Sequence, residues 1–88
     1  MKIIKIGALW CPACLIMHKI WPLLENEFPD IEITSLDLDM DSDEVEKYDV
    51  GKTLPVLILT ENDKEIDRII GEKKFEEIKN RILEVRSK

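Results

Sequence analysis

Apolar and polar residues along the chain change period several times, and each change marks an element. The opening block, KIIKIGAL (residues 2–9), is rich in isoleucine and stops at Gly7, which predicts a first strand. Over residues 11–28 the spacing becomes three and four, through Ile16, Met17, Ile20, Trp21, Leu24 and Phe28, and this predicts an amphipathic helix. Pro22 lies inside that helix. It removes a backbone donor and clashes with the preceding turn, so a kink is expected at residues 19–21, and Pro29 with Asp30 ends the run. IEITSLDLDM (residues 31–40) reads as a second strand. Its apolar positions Ile31, Ile33, Leu36 and Leu38 change phase near Thr34 and Ser35, as expected of a strand covered on both faces.

The second half is simpler. DSDEVEKYDV (residues 41–50) predicts a short acidic helix whose Asp or Ser start caps the free amides. PVLILT and KEIDRII predict a third and a fourth strand, and the turn residues of ENDK between them make an antiparallel hairpin. After Gly71, the spacing of Phe75, Ile78, Ile82 and Val85 predicts a closing helix. The order is therefore β-α-β-α-β-β-α. A strand–helix–strand opening implies a parallel right-handed crossover, and the closing hairpin adds antiparallel edges. The fold class that follows is α/β, with a central four-stranded mixed sheet flanked by helices. At 88 residues the chain is expected to be one domain, residues 1–88, with no repeat, low-complexity segment or linker.

Composition narrows the functional classes. An apolar share of 44% with 36% charged residues of mixed sign fits a folded, soluble protein. The net charge of -6 argues against a nucleic-acid partner, which needs a surplus of Lys and Arg on one face. MKIIKIGALW is basic and apolar like a signal peptide, but its apolar run is short and interrupted by Lys5, so a strand is the better reading. No stretch approaches the roughly 20 apolar residues that span a bilayer, and no membrane partner is expected. Two cysteines cannot make a multi-bridge framework, so a reducing cytoplasm is the expected compartment.

The two cysteines, Cys11 and Cys14, carry the candidate chemistry. Cys11 falls at the start of the first helix, with Pro12 where a helix best tolerates proline. The free amides and the positive end of the helix there favour a thiolate, the nucleophile of disulfide exchange. Cys14 is one turn further on and can close a disulfide with Cys11; it is expected to be the resolving residue and the more buried of the two. His18, the one histidine, is four residues after Cys14. A closed zinc site needs four ligands, and the chain offers no second histidine or third cysteine, so no metal is expected and His18 is read as a solvent-facing helix residue. DLDMDSDEVE lacks the glycine and the closing glutamate spacing of an EF-hand loop, and is read as capping and solvation. No cofactor is implied.

These features resemble the thioredoxin-like superfamily, near its minimal, glutaredoxin-sized form and without the extra N-terminal strand and helix of full thioredoxins. The resemblance covers nearly the whole chain. It rests on Trp10, Cys11, Pro12, Ala13 and Cys14 after the first strand, on Thr53, Leu54 and Pro55 before the third, and on Gly71 before the last helix. Taken alone, Pro55 is compatible with a trans proline opening an edge strand. The resemblance instead implies a cis proline facing the cysteines, with the backbone of Leu54 left to pair with an extended substrate. It also implies that Gly71 lines the groove where a side chain would block a peptide. Trp10 is similar to the residue that forms an apolar lip for protein substrates in thioredoxins.

Three departures qualify the resemblance. Thioredoxins carry a buried acid six residues before the first cysteine, and Lys5 stands there; either it favours thiolate electrostatically or it snorkels to an acidic neighbour. The glutaredoxin pattern has a basic residue shortly before the cysteines and a double-glycine turn. Ala8, Leu9 and the single glycine of IIGEKKF do not match it, which puts tight glutathione binding in doubt. Pro12 and Ala13 match neither subfamily's intervening pair, and a potential more oxidising than that of thioredoxin is expected. The resemblance implies a monomeric dithiol–disulfide oxidoreductase. Its expected partners are disulfide-containing protein substrates and, as electron donor, a reductase or a low-molecular-weight thiol. The alternative is a non-enzymatic redox sensor or interaction module of the same fold.

Overall fold

Ile3, Ile4 and Ile6 are all buried because the first strand, β1 (Lys2–Gly7), lies inside a four-stranded sheet and packs on both faces. The computed structural model describes residues 1–87. The sheet order is β2-β1-β3-β4, with β2 spanning Glu32–Asp37, β3 Val56–Glu61 and β4 Lys64–Ile70. β1 pairs parallel with β2 and antiparallel with β3, and β3 pairs antiparallel with β4. The expected mixed sheet is present, but of the two hairpin strands only β4 is an edge: β3 pairs with β1 on its other side, so β1 and β3 are the two inner strands. β3 reads as an unbroken apolar run, Val56 to Leu59, for the same reason as β1.

Two apolar clusters cover the sheet. One joins Ile3, Leu57, Leu59 and Ile69 to Met17, Ile20, Trp21, Leu24, Ile78 and Ile82 from the helices; the other joins Ile4, Ile6, Val56 and Ile58 to Ala8, Cys11, Val45 and Leu54. The phase change in the second strand has a direct counterpart. Ile31 and Ile33 pack with the first cluster, Leu36 and Leu38 with the second. The strand residues among them are only half-buried, because β2 is at the sheet edge.

The long first helix is broken into α1 (Pro12–Met17) and α2 (Ile20–Glu27). The break at His18 and Lys19 begins just ahead of the expected kink. Pro22 has no N–H to donate to the carbonyl of His18, and its ring crowds that carbonyl, so the disruption falls four residues before the proline. The amide of His18 turns back to the carbonyl of Leu15 at 3.2 Å, tightening the end of α1.

The short acidic helix α3 spans Ser42–Glu46, but its expected cap is not made. Asp41 sits at the capping position, yet its carboxylate accepts from the amide of Asp37 at 2.8 Å and so closes the turn after β2 instead. The hairpin turns through Asn62 and Asp63, with φ of 54° and 64°, the backbone that a two-residue primed turn requires. α4 (Phe75–Arg86) lays Ile78 and Ile82 on the first cluster. No helix among the described residues is long and apolar enough to cross a membrane.

Candidate functional site

The end of β1 and the start of α1 set the two sulfurs. Cys11 has extended backbone (φ -86°, ψ 114°) and caps α1, with Pro12 at the first helical position, as the sequence predicts. Its amide donates to the carbonyl of Ala8 at 3.2 Å, which fixes the turn out of the sheet. The sulfur of Cys11 then accepts from the amide of Cys14 at 3.3 Å, so one of the free amides of the helix points at it. Both cysteines are free thiols.

The expected order of burial is reversed. Cys11 is 5% exposed, whereas Cys14 is only partly buried. The cause is the capping geometry: it folds the Cys11 side chain back over the helix start, into the apolar cluster of Ala8, Val45 and Leu54. Cys14 instead lies over Gly7. A Cβ at Gly7 would stand 3.0 Å from the Cys14 sulfur, so this strand-end glycine makes the room that the second sulfur occupies. Desolvation is the main reason the Cys14 thiol is pushed up from 9.0 to about 11, aided by its hydrogen bond with Cys11 and opposed by a backbone hydrogen bond at Ala8.

The remaining candidate residues converge on the same end of the sheet. The Leu54–Pro55 peptide bond is cis, and it opens β3, an inner strand, so the edge-strand reading of Pro55 does not hold. Leu54 packs in the cluster that holds Cys11, and Pro55 lines a cleft together with Cys14. Gly71 donates its amide to the carbonyl of Pro55 at 2.9 Å and has φ of +89°, a conformation that side chains rarely adopt. A Cβ there would also come within 3.3 Å of the Thr53 methyl group, so Thr53, Pro55 and Gly71 form one packed unit. Trp10 is 61% exposed and stands outside this unit, where its indole nitrogen donates to Asp39 at 2.8 Å.

Lys5 lines the same cleft as Cys14 and Pro55. Its ammonium sits 4.6 Å from the centroid of the Trp21 ring, a cation–π contact rather than an ion pair. Burial lowers its pKa, and the charge of Glu25 works against that shift. Lys5, Cys14, His18, Trp21, Ser35 and Asp37 are among the walls of a cleft of about 270 Å³. His18 is solvent-facing. Among the described residues, no three His, Cys, Asp or Glu side chains are grouped as a metal site would need.

Gly7 and Asp39 are the residues that the sequence pattern does not single out. Gly7 reads there only as a strand end, and the signal for its second role is its position four residues before the cysteine pair. Asp39 is 29 residues from Trp10, and nothing local marks it as a partner.

Comparison with known proteins is consistent over the chain. The thioredoxin family model matches residues 1–84. Thioredoxin H5 of Oryza sativa subsp. japonica is 33% identical over 82 residues, covering 86% of this chain and 60% of that protein. Thioredoxin of Chlamydia pneumoniae is 33% identical over 75 residues, covering 85% of this chain and 72% of that protein. The chain spans about three fifths of the length of the plant relatives it matches. The crystal structure of thioredoxin from Trypanosoma brucei brucei superposes with a TM-score of 0.88 over 99% of this chain and 75% of that one; at 22% identity this likeness is one of fold.

Proposed function

The chain belongs to the thioredoxin family, and from that premise we propose that it is a dithiol–disulfide oxidoreductase acting on protein disulfides. The Cys11 sulfur turns outward as a thiolate and attacks one sulfur of a substrate disulfide. An S–S bond forms between Cys11 and the substrate, and the substrate's other sulfur leaves as a thiolate. Cys14 then loses its proton and attacks the Cys11 sulfur. The Cys11–Cys14 disulfide closes, the second substrate thiolate leaves, and two electrons have passed from the pair to the substrate. In this reading Trp10, Pro12, Thr53, Leu54, Pro55 and Gly71 form the docking surface: Leu54 offers its backbone to an extended segment, and Gly71 leaves room for it. Lys5 favours the Cys14 thiolate electrostatically as it forms.

The observation that carries the reading is the Cys11 sulfur held at the helix start by the amide of Cys14. A reductase or a small thiol would recharge the pair, in a reducing compartment such as the cytoplasm. The protein is proposed to act as a monomer. The test is reduction of insulin disulfides by the dithiol form. Turnover lost in Cys11→Ser, with a mixed disulfide accumulating in Cys14→Ser, is the expected result. The burial of Cys11 favours a second reading, a redox-sensing module without turnover, and an inert wild-type protein would support it.

A further inference from the structure

The segment that runs from the end of α3 to the Leu54–Pro55 turn is tied to β4 at both of its ends. At the far end Gly71 donates its amide to the carbonyl of Pro55 at 2.9 Å. At the near end Arg68 does the work: Nη2 donates to the carbonyl of Tyr48 at 2.6 Å and Nη1 to that of Asp49 at 3.3 Å. Local backbone presents these two carbonyls. The amides of Tyr48 and Asp49 turn back to Val45 and Glu46, carrying a helical turn past α3. Asp49 then ends it at φ 50°, a left-handed conformation that Asp tolerates better than most residues. A guanidinium that donates to the last carbonyls of such a turn also meets the negative end of its dipoles. Between the two ties, residues 51–53 are exposed.

Arg68 is itself aimed by Glu65. Its Nε donates to one carboxylate oxygen and its Nη2 to the other, each at 2.7 Å, a two-pronged pairing that fixes direction as well as distance. In a regular strand, residues three apart point to opposite faces. β4 is not regular here: Leu59 faces Asp67 but Thr60 faces Glu65, so Ile66 is the extra residue of a bulge. That one insertion turns Glu65 onto the face of Arg68. The Arg68 side chain is 22% exposed, so the fork is held against the protein and not left free in water.

We propose that Arg68 is a positioning residue for protein substrates: oriented by Glu65, it fixes the start of the segment 48–55, so that the backbone of Leu54 meets an extended substrate already in place. This role rests on the dithiol reading and adds to it a residue that favours protein disulfides over small ones. A segment ordered before binding spares the complex the entropy of ordering it. Tyr48 and Val50 pack on the cluster that holds Cys11, so apolar contacts keep the segment on the protein without Arg68. The guanidinium removes the play that those non-directional contacts leave. It touches neither sulfur, so the attack of Cys11 on a disulfide that needs no docking is independent of it.

The experiment compares Arg68→Met, which keeps an apolar stem and removes the fork, with the wild type in two reactions. One is the reduction of insulin with dithiothreitol recharging the pair. The other is the reduction of dithiobis(nitrobenzoate), a small aromatic disulfide with no chain to dock, by the dithiol form alone. The KM for insulin is expected to rise about fivefold with kcat little changed, while the rate with the small disulfide stays within about twofold of wild type. Should Arg68→Met not fold, Glu65→Gln retains Arg68 but weakens its aim, and is expected to raise the insulin KM about twofold. An unchanged insulin KM, or equal losses in the two reactions, overturns the proposal and leaves the dithiol reading intact. A wild-type protein that reduces neither disulfide overturns both.

Discussion

The indole nitrogen of Trp10 donates to a carboxylate oxygen of Asp39 across 2.8 Å, tying the residue before the cysteines to the loop that follows β2. The bond is exposed, so its net contribution to stability is about 1 kcal/mol or less. Its larger effect is on orientation, because an untethered indole samples several rotamers at the mouth of the site. Asp39→Ala is therefore expected to raise KM for insulin several-fold while kcat changes less, and to move the urea midpoint only slightly. Asp39→Asn keeps an acceptor and should retain most of the wild-type KM. Steady-state kinetics beside a urea melt of each variant measures both.

The raised Cys14 thiol makes stability depend on pH in a definite window. The folded protein holds this proton more tightly than the unfolded chain, so the contribution is complete below the free-thiol value of 9.0 and is lost as pH rises towards about 11. Lys5, whose pKa is lowered, acts in the opposite sense just below 10.5. The Cys14 part must therefore be read as a difference. The gap in urea midpoint between wild type and Cys14→Ser should move against the wild type from pH 8.5 to pH 10.5, and a constant gap would contradict the assignment.

Lys5 is half-buried and holds its charge over the Trp21 ring. Cation–π contacts of this kind contribute about 0.5–1 kcal/mol when exposed and roughly 2 when desolvated. Lys5→Met removes the charge and keeps most of the stem. It is expected to shift the Cys14 thiol titration upward and to slow closure of the Cys11–Cys14 disulfide, as followed by release of a chromogenic thiol from a mixed disulfide at Cys11. Lys5→Arg keeps a cation over the ring and should restore most of the rate. An unchanged Cys14 titration in Lys5→Met would show that the ammonium serves packing alone.

What the sequence made legible, and what it left hidden, follows from the range of the interactions. The strands and helices are set by periodicity within a few residues of chain, so their order along the chain, the β1–β2 crossover and the β3–β4 hairpin could be read, whereas the long-range pairing of β1 with β3 could not. The position of Cys11 at a helix start is equally local, since Pro12 fixes it. The break at His18 lies slightly ahead of the expected kink because the steric conflict belongs to the carbonyl four residues before Pro22, not to the proline itself. The relative burial of the two cysteines is of another kind. It depends on Val45 and Leu54, distant in sequence, closing over Cys11, and on the missing Cβ of Gly7 beneath Cys14, which is near the motif but reads there only as a strand end. Likewise Asp41 has the residue type of a helix cap, but the amide of Asp37 competes for its carboxylate.

Gly71 provides the sharpest mutational test of how the docking turn is held. Its φ of +89° would strain any side chain, by about 1–3 kcal/mol, and an added Cβ would press on the Thr53 methyl at 3.3 Å. The two penalties can be separated. Gly71→Ala should lower stability by about the strain alone if Thr53 moves aside, and by more if it cannot. Thr53→Ser removes the methyl that would be touched, so the double variant should recover the steric part and leave the backbone part, a coupling readable in a double-mutant cycle. Thr53 is exposed and free to shift outward, whereas the amide of Gly71 is held by the carbonyl of Pro55 at 2.9 Å. The backbone part is therefore expected to dominate, with little recovery in the double variant. Insulin reduction should fall further than the loss of folded protein explains if Gly71 lines the proposed docking groove. Equal losses in folded fraction and in turnover would confine Gly71 to a structural role.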